Sequence, residues 1–412
     1  MAAEGACSRR RVMDETLARL VSSTPVDISS QLALLKRGCV SLVSESELSA
    51  KLALGRPLRV KLGVDPTSAD LHLGHCVVLT KLRQFQDLGH TAVLIIGDFT
   101  ARVGDPSGRD STRPTLSEED VRSNSRTYQE QAFKILDKGK TQLHFNSEWL
   151  VAFMRDSLLE TLKRHTVQQV LSREDFKKRI AENSPISLLE VMYPLMQGYD
   201  SVAVKADIEL GGNDQLTNLL VGRKLQQDAG QEPQVALTVP LLVGLDGEKK
   251  MSKSYGNSIG INEPPNEIFG KTMRISDELM MSYYELLTDQ DLAAVKSEHP
   301  MKAKKALARL LVERFHGAHA GGAACDYFEN TFSKKELPVD LRVERAASGT
   351  PLAKLIVQAG GAKSLGEARR LIVQGGVQID GVKATADAPL TAPARFTLKM
   401  GKHQFVKVEL TS

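Results

Sequence analysis

Residues 60–75, VKLGVDPTSADLHLGH, leave few folds open to this chain. They run as a strand and turn through Asp65-Pro66-Thr67. They reach His72-Leu73-Gly74-His75 as an amphipathic helix begins, with Val77, Val78, Leu82, Phe85 and Leu88 on its apolar side. A second strand follows at 91–97, TAVLIIG, an unbroken apolar run of the kind that buried parallel strands show. Two imidazoles thus flank a glycine at a helix N-terminus, where free N–H groups and the positive end of the helix dipole suit a phosphate. Gly74 there would let a flat ligand lie against bare backbone. On its own, an HxGH tetrapeptide is equally a polar helix start with one histidine capping and the other solvated.

Far downstream stands Lys250-Met251-Ser252-Lys253-Ser254, in a Gly-rich polar loop between Gly244 and Gly260. Flexible flanks with two lysines suit a lid that closes on a polyphosphate. A lone KxxK would more simply be a solvated charge run. HxGH after a first strand and KMSKS late in the same half, in this order, resemble the class I aminoacyl-tRNA synthetases. The chain has no GxxxxGK[ST] and no HExxH, which sets aside P-loop hydrolysis and zincin chemistry.

Along the chain, residues 1–57 read as a peripheral helical extension and 58–260 as a doubly wound, Rossmann-like α/β domain with a parallel sheet. Within it, 117–185 reads as a helical insertion, with long, mostly helical segments from 117 to about 175. Then come a helix at 186–200, a strand at 202–210, a helix at 214–228 and a strand at 235–243. An α-helical domain is expected over 261–332, a polar linker over 333–349 and a small α+β module over 350–412. That length, 412 residues, accommodates two or three domains, and the 42% apolar and 25% charged content is that of an ordinary globular protein. No apolar run reaches membrane length, and Glu4, Asp14 and Glu15 argue against a secretory or transit peptide. Cys7, Cys39, Cys76 and Cys325 lack CxxC spacing, so neither a zinc site nor a disulfide framework is expected, and a reducing compartment, the cytoplasm, is.

Tyr193, Gln197 and Asp200 fall at i, i+4 and i+7, a polar stripe on a helix otherwise lined by Leu188, Leu189, Val191, Met192, Leu195 and Met196. A helix apolar on most sides is buried, so the stripe needs partners, either a bound polar ligand or a structural hydrogen-bond network. The stripe resembles the YxxxQxxD pocket of tyrosyl-tRNA synthetases. That resemblance implies that Tyr193 and Gln197 hold the substrate's amino group and that Asp200 accepts from the phenol. Thr100 and Asp105, in GDFTARVGDPSG, match positions beside the same ammonium; Asp105 read alone also fits an Asx turn before Pro106. Arg109 and Arg113 match a basic loop that reaches the ATP phosphates. Gly211-Gly212-Asn213-Asp214-Gln215 resembles the family's GGxDQ motif, with Asp214 on the ribose and Gln215 near the amino-acid carboxylate, and two glycines there permit close approach of a ribose. Asp65, His72, Gly74, His75, Lys250, Met251, Lys253 and Ser254 complete the implied ATP site. At Lys61 the chain departs from the better-known subfamily, which has a second phenol-binding tyrosine there.

After Gly349 nine Lys and Arg face four Asp and Glu, an excess larger than the +4 of the whole chain. A basic terminal module points to nucleic acid. PLAKLIVQAGGAKSLGEARRLIVQGGVQIDGVK resembles the S4 RNA-binding module, with Lys363, Arg369 and Arg370 on its RNA face. Such a tail occurs in bacterial tyrosyl-tRNA synthetases and not in tryptophanyl ones. The resemblance implies two steps: the tyrosine carboxylate displaces pyrophosphate from ATP, then the tyrosyl group passes to the terminal ribose of tRNA(Tyr). His72, His75, Lys250, Lys253, Arg109 and Arg113 would stabilise the departing charge. Mg²⁺ would accompany ATP with no dedicated protein ligands, and a homodimer is implied through the 117–175 region. The rivals are a tryptophanyl synthetase, a small HxGH nucleotidyltransferase and a catalytically dead RNA-binding paralogue.

Overall fold

The structure is a computed structural model that describes residues 27–107, 116–333, 343–391, 395–401 and 404–411. Arg109 and Arg113, the 1–26 part of the N-terminal extension and the 334–342 part of the linker lie outside the described residues. The chain forms two compact units, one up to Gly321 and one from Gly322.

The first unit is built on a six-stranded sheet of β1 (Ser41–Val43), β2 (Arg59–Val64), β3 (Thr91–Ile96), β4 (Thr141–Phe145), β5 (Ile208–Gly212) and β6 (Val235–Val239), in the order β1-β6-β5-β2-β3-β4. All pairings are parallel except that of β1 with β6. Val93, Leu94, Ile95 and Ile96 of β3 are wholly buried, the packing that its unbroken apolar run foretold. From β2 the chain winds outward through β3 to β4, and from β5 it winds the other way to β6. The strand order therefore reverses between β2 and β5, and a crevice opens at their carboxyl ends, the usual ligand site of such sheets.

Three sequence-based expectations are corrected here. The supposedly helical 117–175 contains β4, a five-residue edge strand, TQLHF, paired along β3 from Ala92 to Ile96. Its Thr, Leu and Phe alternate with polar residues, a pattern too short to stand out between two helices. The supposedly helical 1–57 contains β1, whose three residues end where Ser44 caps the next helix. Third, the helix expected to end at Asp200 runs as Leu188–Val204, and the strand begins at Ile208 rather than Val202. Val204 packs with Val93, Ile95 and Ala206, so burial extends the helix until Lys205 ends it in a left-handed conformation at φ 50°.

Residues 265–316 are helical and stay within this unit. Helix Asp277–Leu287 lies on helix Leu73–Asp87, and Arg314 donates to Thr80 at 2.9 Å.

The second unit packs helices Leu352–Gln358 and Leu365–Val373 on a five-stranded sheet of β7 (Val343–Ala347), β9 (Val377–Ile379), β10 (Val382–Lys383), β12 (Arg395–Met400) and β13 (Gln404–Thr411), with β8 (Thr350–Pro351) and β11 (Pro389–Leu390) paired apart from it. Leu352, Leu355, Ile356, Ala368, Ile372, Leu398 and Val408 form its own core. The linker expectation is corrected at β7, which pairs parallel with β13 over five positions.

Candidate active site

Helix Leu73–Asp87 starts at the crevice and is capped by both histidines. His72 Nδ1 accepts from the Gly74 N–H and His75 Nδ1 accepts from the His72 N–H, each at 3.2 Å. Capping by one histidine was the plain alternative, and here capping and placement at the crevice coexist. Burial, with Lys253 nearby, pushes His72 down to about 3 and His75 down to about 4, so both rings are neutral at physiological pH. Gly74 serves the cap: a Cβ there would stand 2.9 Å from the His72 ring and 3.6 Å from Met251.

The KMSKS segment lies over this start. Met251 is buried and its N–H donates to Leu242 at 2.7 Å; Ser252 N–H donates to Asn257 Oδ1 at 2.8 Å; Lys253 pairs with Asp70 at 2.7 Å. Leu73 N–H to Ile259 O at 3.0 Å and Ile261 N–H to Leu71 O at 3.1 Å stitch the two loops together. A cavity of about 410 Å³ remains, lined by Thr67, His72, His75, Asp214, Lys250 and Ser254 among others.

Next to it is a cavity of about 280 Å³ that shares Thr67, His75, Asp214 and Lys250 and is lined further by Asp65, Asp105, Tyr128, Tyr193, Gln197 and Gln215. Tyr193 O–H donates to Asp65 Oδ2 at 2.9 Å, and Thr100 O–H donates to Asp65 Oδ1 at 2.7 Å. Gly97 makes this possible, since a Cβ there would collide with Asp65 and Thr100. Asp65 therefore stands with the stripe as much as with the ATP residues among which sequence reasoning had placed it. Asp105 accepts from Gln215 at 2.7 Å and from the Ser107 N–H at 2.9 Å, so the Asx turn and a place in the cavity lining occur together. Asp200 is buried, accepting from Trp149 Nε1 at 2.8 Å and Asn146 Nδ2 at 3.4 Å. At Gly211 and Gly212 a Cβ would meet Gln215 at 2.9 Å and Asp214 at 2.7 Å, so these glycines make room for the chain's own side chains.

Burial raises three of these carboxyls: Asp65 up to about 7, with Asp105 and Asp200 adding to it, Asp200 up to about 6, and Asp214 above its ordinary range. Carboxylates gathered in one pocket repel, and a cationic ligand relieves that. Sequence reasoning missed Asn146 and Trp149, which follow the unrecognised β4. It also missed Asn218, which donates to Gln197 Oε1 at 2.9 Å and accepts from Arg173. The helix sequence around Asn218, LTNLLV, gives no signal for that contact, which spans 21 residues.

Among the described residues no helix is long and apolar enough to cross a membrane. Lys363, Arg369 and Arg370 are exposed on the second unit, and Arg369 pairs with Asp387 at 2.9 Å.

An α/β sheet reversing beside a helix-start pair of imidazoles, under a two-lysine loop, defines a class I synthetase domain. The pattern of the family "tRNA synthetases class I (W and Y)" matches residues 53–333, and that of the S4 domain matches 350–392. Tyrosine–tRNA ligase 2 of Vibrio vulnificus strain YJ016 is 49% identical over 391 residues, covering 93% of this chain and 99% of its own. Tyrosine–tRNA ligase of Geobacter sulfurreducens is 48% identical over 400 residues, with 93% and 99% covered. This chain belongs to the tyrosine–tRNA ligase family. Solved structures share the fold: a truncated mitochondrial tyrosyl-tRNA synthetase of Aspergillus nidulans (TM-score 0.63, 20% identity, 79% of this chain and 99% of that one) and a tyrosyl-tRNA synthetase of Archaeoglobus fulgidus complexed with L-tyrosine (TM-score 0.59, 23% identity, 73% and 100%).

Proposed function

We propose that the family's reaction, ATP-dependent activation of L-tyrosine and its transfer to tRNA(Tyr), runs across the two adjoining cavities, with tyrosine in the smaller and ATP in the larger. The observation that carries this is the carboxyl cluster beside the neutral imidazoles and lysines: it suits an ammonium on one side and phosphates on the other. Tyr193, Gln197, Thr100, Asp105 and Asp65 surround the tyrosine ammonium, Asp200 accepts from its phenol, and Gln215 lies near its carboxylate. Asp214 and the Gly211-Gly212 turn take the ribose; His72, Gly74, His75, Lys250, Met251, Lys253 and Ser254 take the phosphates, with Arg109 and Arg113 joining from their loop.

A tyrosine carboxylate oxygen attacks the α-phosphorus in line, and the bond to pyrophosphate breaks. The carboxylate is already the nucleophile, so no general base is required, and rate comes from positioning and charge stabilisation. Neutral imidazoles serve as N–H donors, while the positive charge comes from Lys250 and Lys253. The described residues hold no cluster of three or more His, Cys, Asp or Glu suited to a metal ion. Mg²⁺ would enter as the counter-ion of ATP, part of the substrate. In the second step a terminal ribose hydroxyl of the tRNA attacks the tyrosyl carbonyl and AMP leaves, the tRNA being engaged by Lys363, Arg369 and Arg370.

Val151, Leu159, Val167 and Leu188 expose 58%, 75%, 64% and 84% of their surfaces, and Val151 borders a larger cavity of about 530 Å³ that holds none of the residues assigned to tyrosine or ATP. These exposed apolar side chains support a homodimer, and cysteines without CxxC spacing support a reducing cytoplasm. Exchange of labelled pyrophosphate into ATP tests the whole reading: tyrosine alone should support it, and support by tryptophan or phenylalanine at comparable kcat/KM would overturn the pocket assignment. Asp200→Ala should weaken use of tyrosine while sparing the KM for ATP; equal losses of both would count against Asp200 at the phenol.

A further inference from the structure

Lys61 lies on β2 directly opposite Glu209 of β5, and the two side chains form a wholly buried ion pair at 2.8 Å. The ammonium also donates to Ser201 Oγ at 2.8 Å and to the Gln197 carbonyl at 3.0 Å. Two of those partners belong to the turn of helix that carries Gln197 and Asp200. Glu209 in turn accepts from Ser201 at 3.1 Å and from Gln234. A buried ion pair is weak as a stability device, because an apolar pair of the same shape often does as well or better. Its position behind the stripe gives it a different use.

We propose that the buried Lys61–Glu209 pair is a positioning and specificity-determining unit for the tyrosine phenol, keeping Asp200 an ionised acceptor and fixing the 197–201 turn on the sheet. The proposal rests on the reading of Asp200 given above. Lys61 is the chief group opposing the rise that burial imposes on Asp200, and Glu209 adds to that rise. The other groups facing Asp200 are Trp149 and Asn146, which donate to it, and Asp65 and Tyr193, which feel its charge; the His144 ring is tilted 56° against that of Trp149, with centroids 5.8 Å apart.

The test compares wild type, Lys61→Met, Glu209→Gln and the double variant. Its readout is the ratio of kcat/KM for tyrosine to that for phenylalanine in pyrophosphate exchange, followed between about pH 5 and 9. Titrations at the ammonium end cancel in this ratio, since both substrates share that end. In wild type the ratio should fall as pH drops and Asp200 takes a proton. Loss of the Lys61 charge should move the midpoint up by about one pH unit, lowering the ratio roughly twofold at pH 7 and by nearly tenfold at about pH 5. Glu209→Gln should move it down, and the double variant, which leaves no buried charge unpaired, should return it close to wild type. A packing role would lower the ratio in both single variants with no opposed displacement, and that result overturns the proposal. Asp200→Asn separates the two levels. If it flattens the profile while the Lys61 and Glu209 variants leave the midpoint in place, the Asp200 reading stands and the proposal falls; if it leaves the profile unchanged, both fall.

Discussion

Asp65 shows what one residue in this pocket costs and what it gives. Burial raises it to about 7, against the pull of the Thr100 hydrogen bond, whereas in the unfolded chain it would ionise near its ordinary value. The sign follows from linkage: the folded state holds a proton that the unfolded state has lost. Asp65 therefore withdraws stability as pH rises from the ordinary aspartate range to about 7, and no further above that. An ammonium bound beside it favours the ionised form and expels the proton. Tyrosine binding at pH 6 should release about one proton, and at pH 8.5 about none, read as the slope of calorimetric enthalpy against buffer ionisation enthalpy. Asp65→Asn should remove the difference between the two pH values; an unchanged slope in that variant would mean that another group carries the proton.

Between elements, the tightest contact behind the site is that of helices Leu188–Val204 and Leu216–Asp228. They meet at Gly198 and Gly222: a Cβ on Gly198 would lie 2.9 Å from Leu225 and 3.1 Å from the Gly222 nitrogen. Backbone cannot swing aside as a side-chain end can, so Gly198→Ala should cost about 1–3 kcal/mol, measured by urea unfolding. It should also weaken tyrosine use more than ATP use, because the displaced helix carries Gln197. The stripe on that helix was legible in the sequence because a helix fixes i, i+4 and i+7 on one face. Its partners were not. Trp149 and Asn146 follow β4, whose five residues carry too little periodicity to announce a strand, and Lys61 meets Glu209 across 148 positions only once β2 and β5 become neighbours. Local spacing thus revealed two residues, Tyr193 and Gln197, that line the crevice. The residues behind them are set by strand order, which no local pattern encodes.

For the whole molecule, the division of labour lies between a catalytic unit and a basic one with a core of its own, built on Leu355, Ile356, Ile372 and Leu398. The sequence placed the start of the basic unit at Thr350, but β7 begins at Val343 and pairs with the last strand, so a cut at 349 would leave an orphaned strand on the catalytic part. Truncation after Ser333 removes the second sheet entire. The shortened protein should retain tyrosine-dependent pyrophosphate exchange within about twofold of the full chain, since every residue assigned to tyrosine and ATP precedes Gly260. Aminoacylation of tRNA(Tyr) should fall by about tenfold or more, chiefly through a raised KM for tRNA, and the salt dependence of that KM should flatten as phosphate contacts are lost. Charge reversal at Lys363 and Arg370 in the full chain should reproduce part of the loss. Arg369→Ala alone should do less, because its guanidinium is already committed to Asp387 and must exchange that partner for phosphate. Loss of exchange together with aminoacylation in the truncated protein would show instead that the basic unit supports the catalytic one directly.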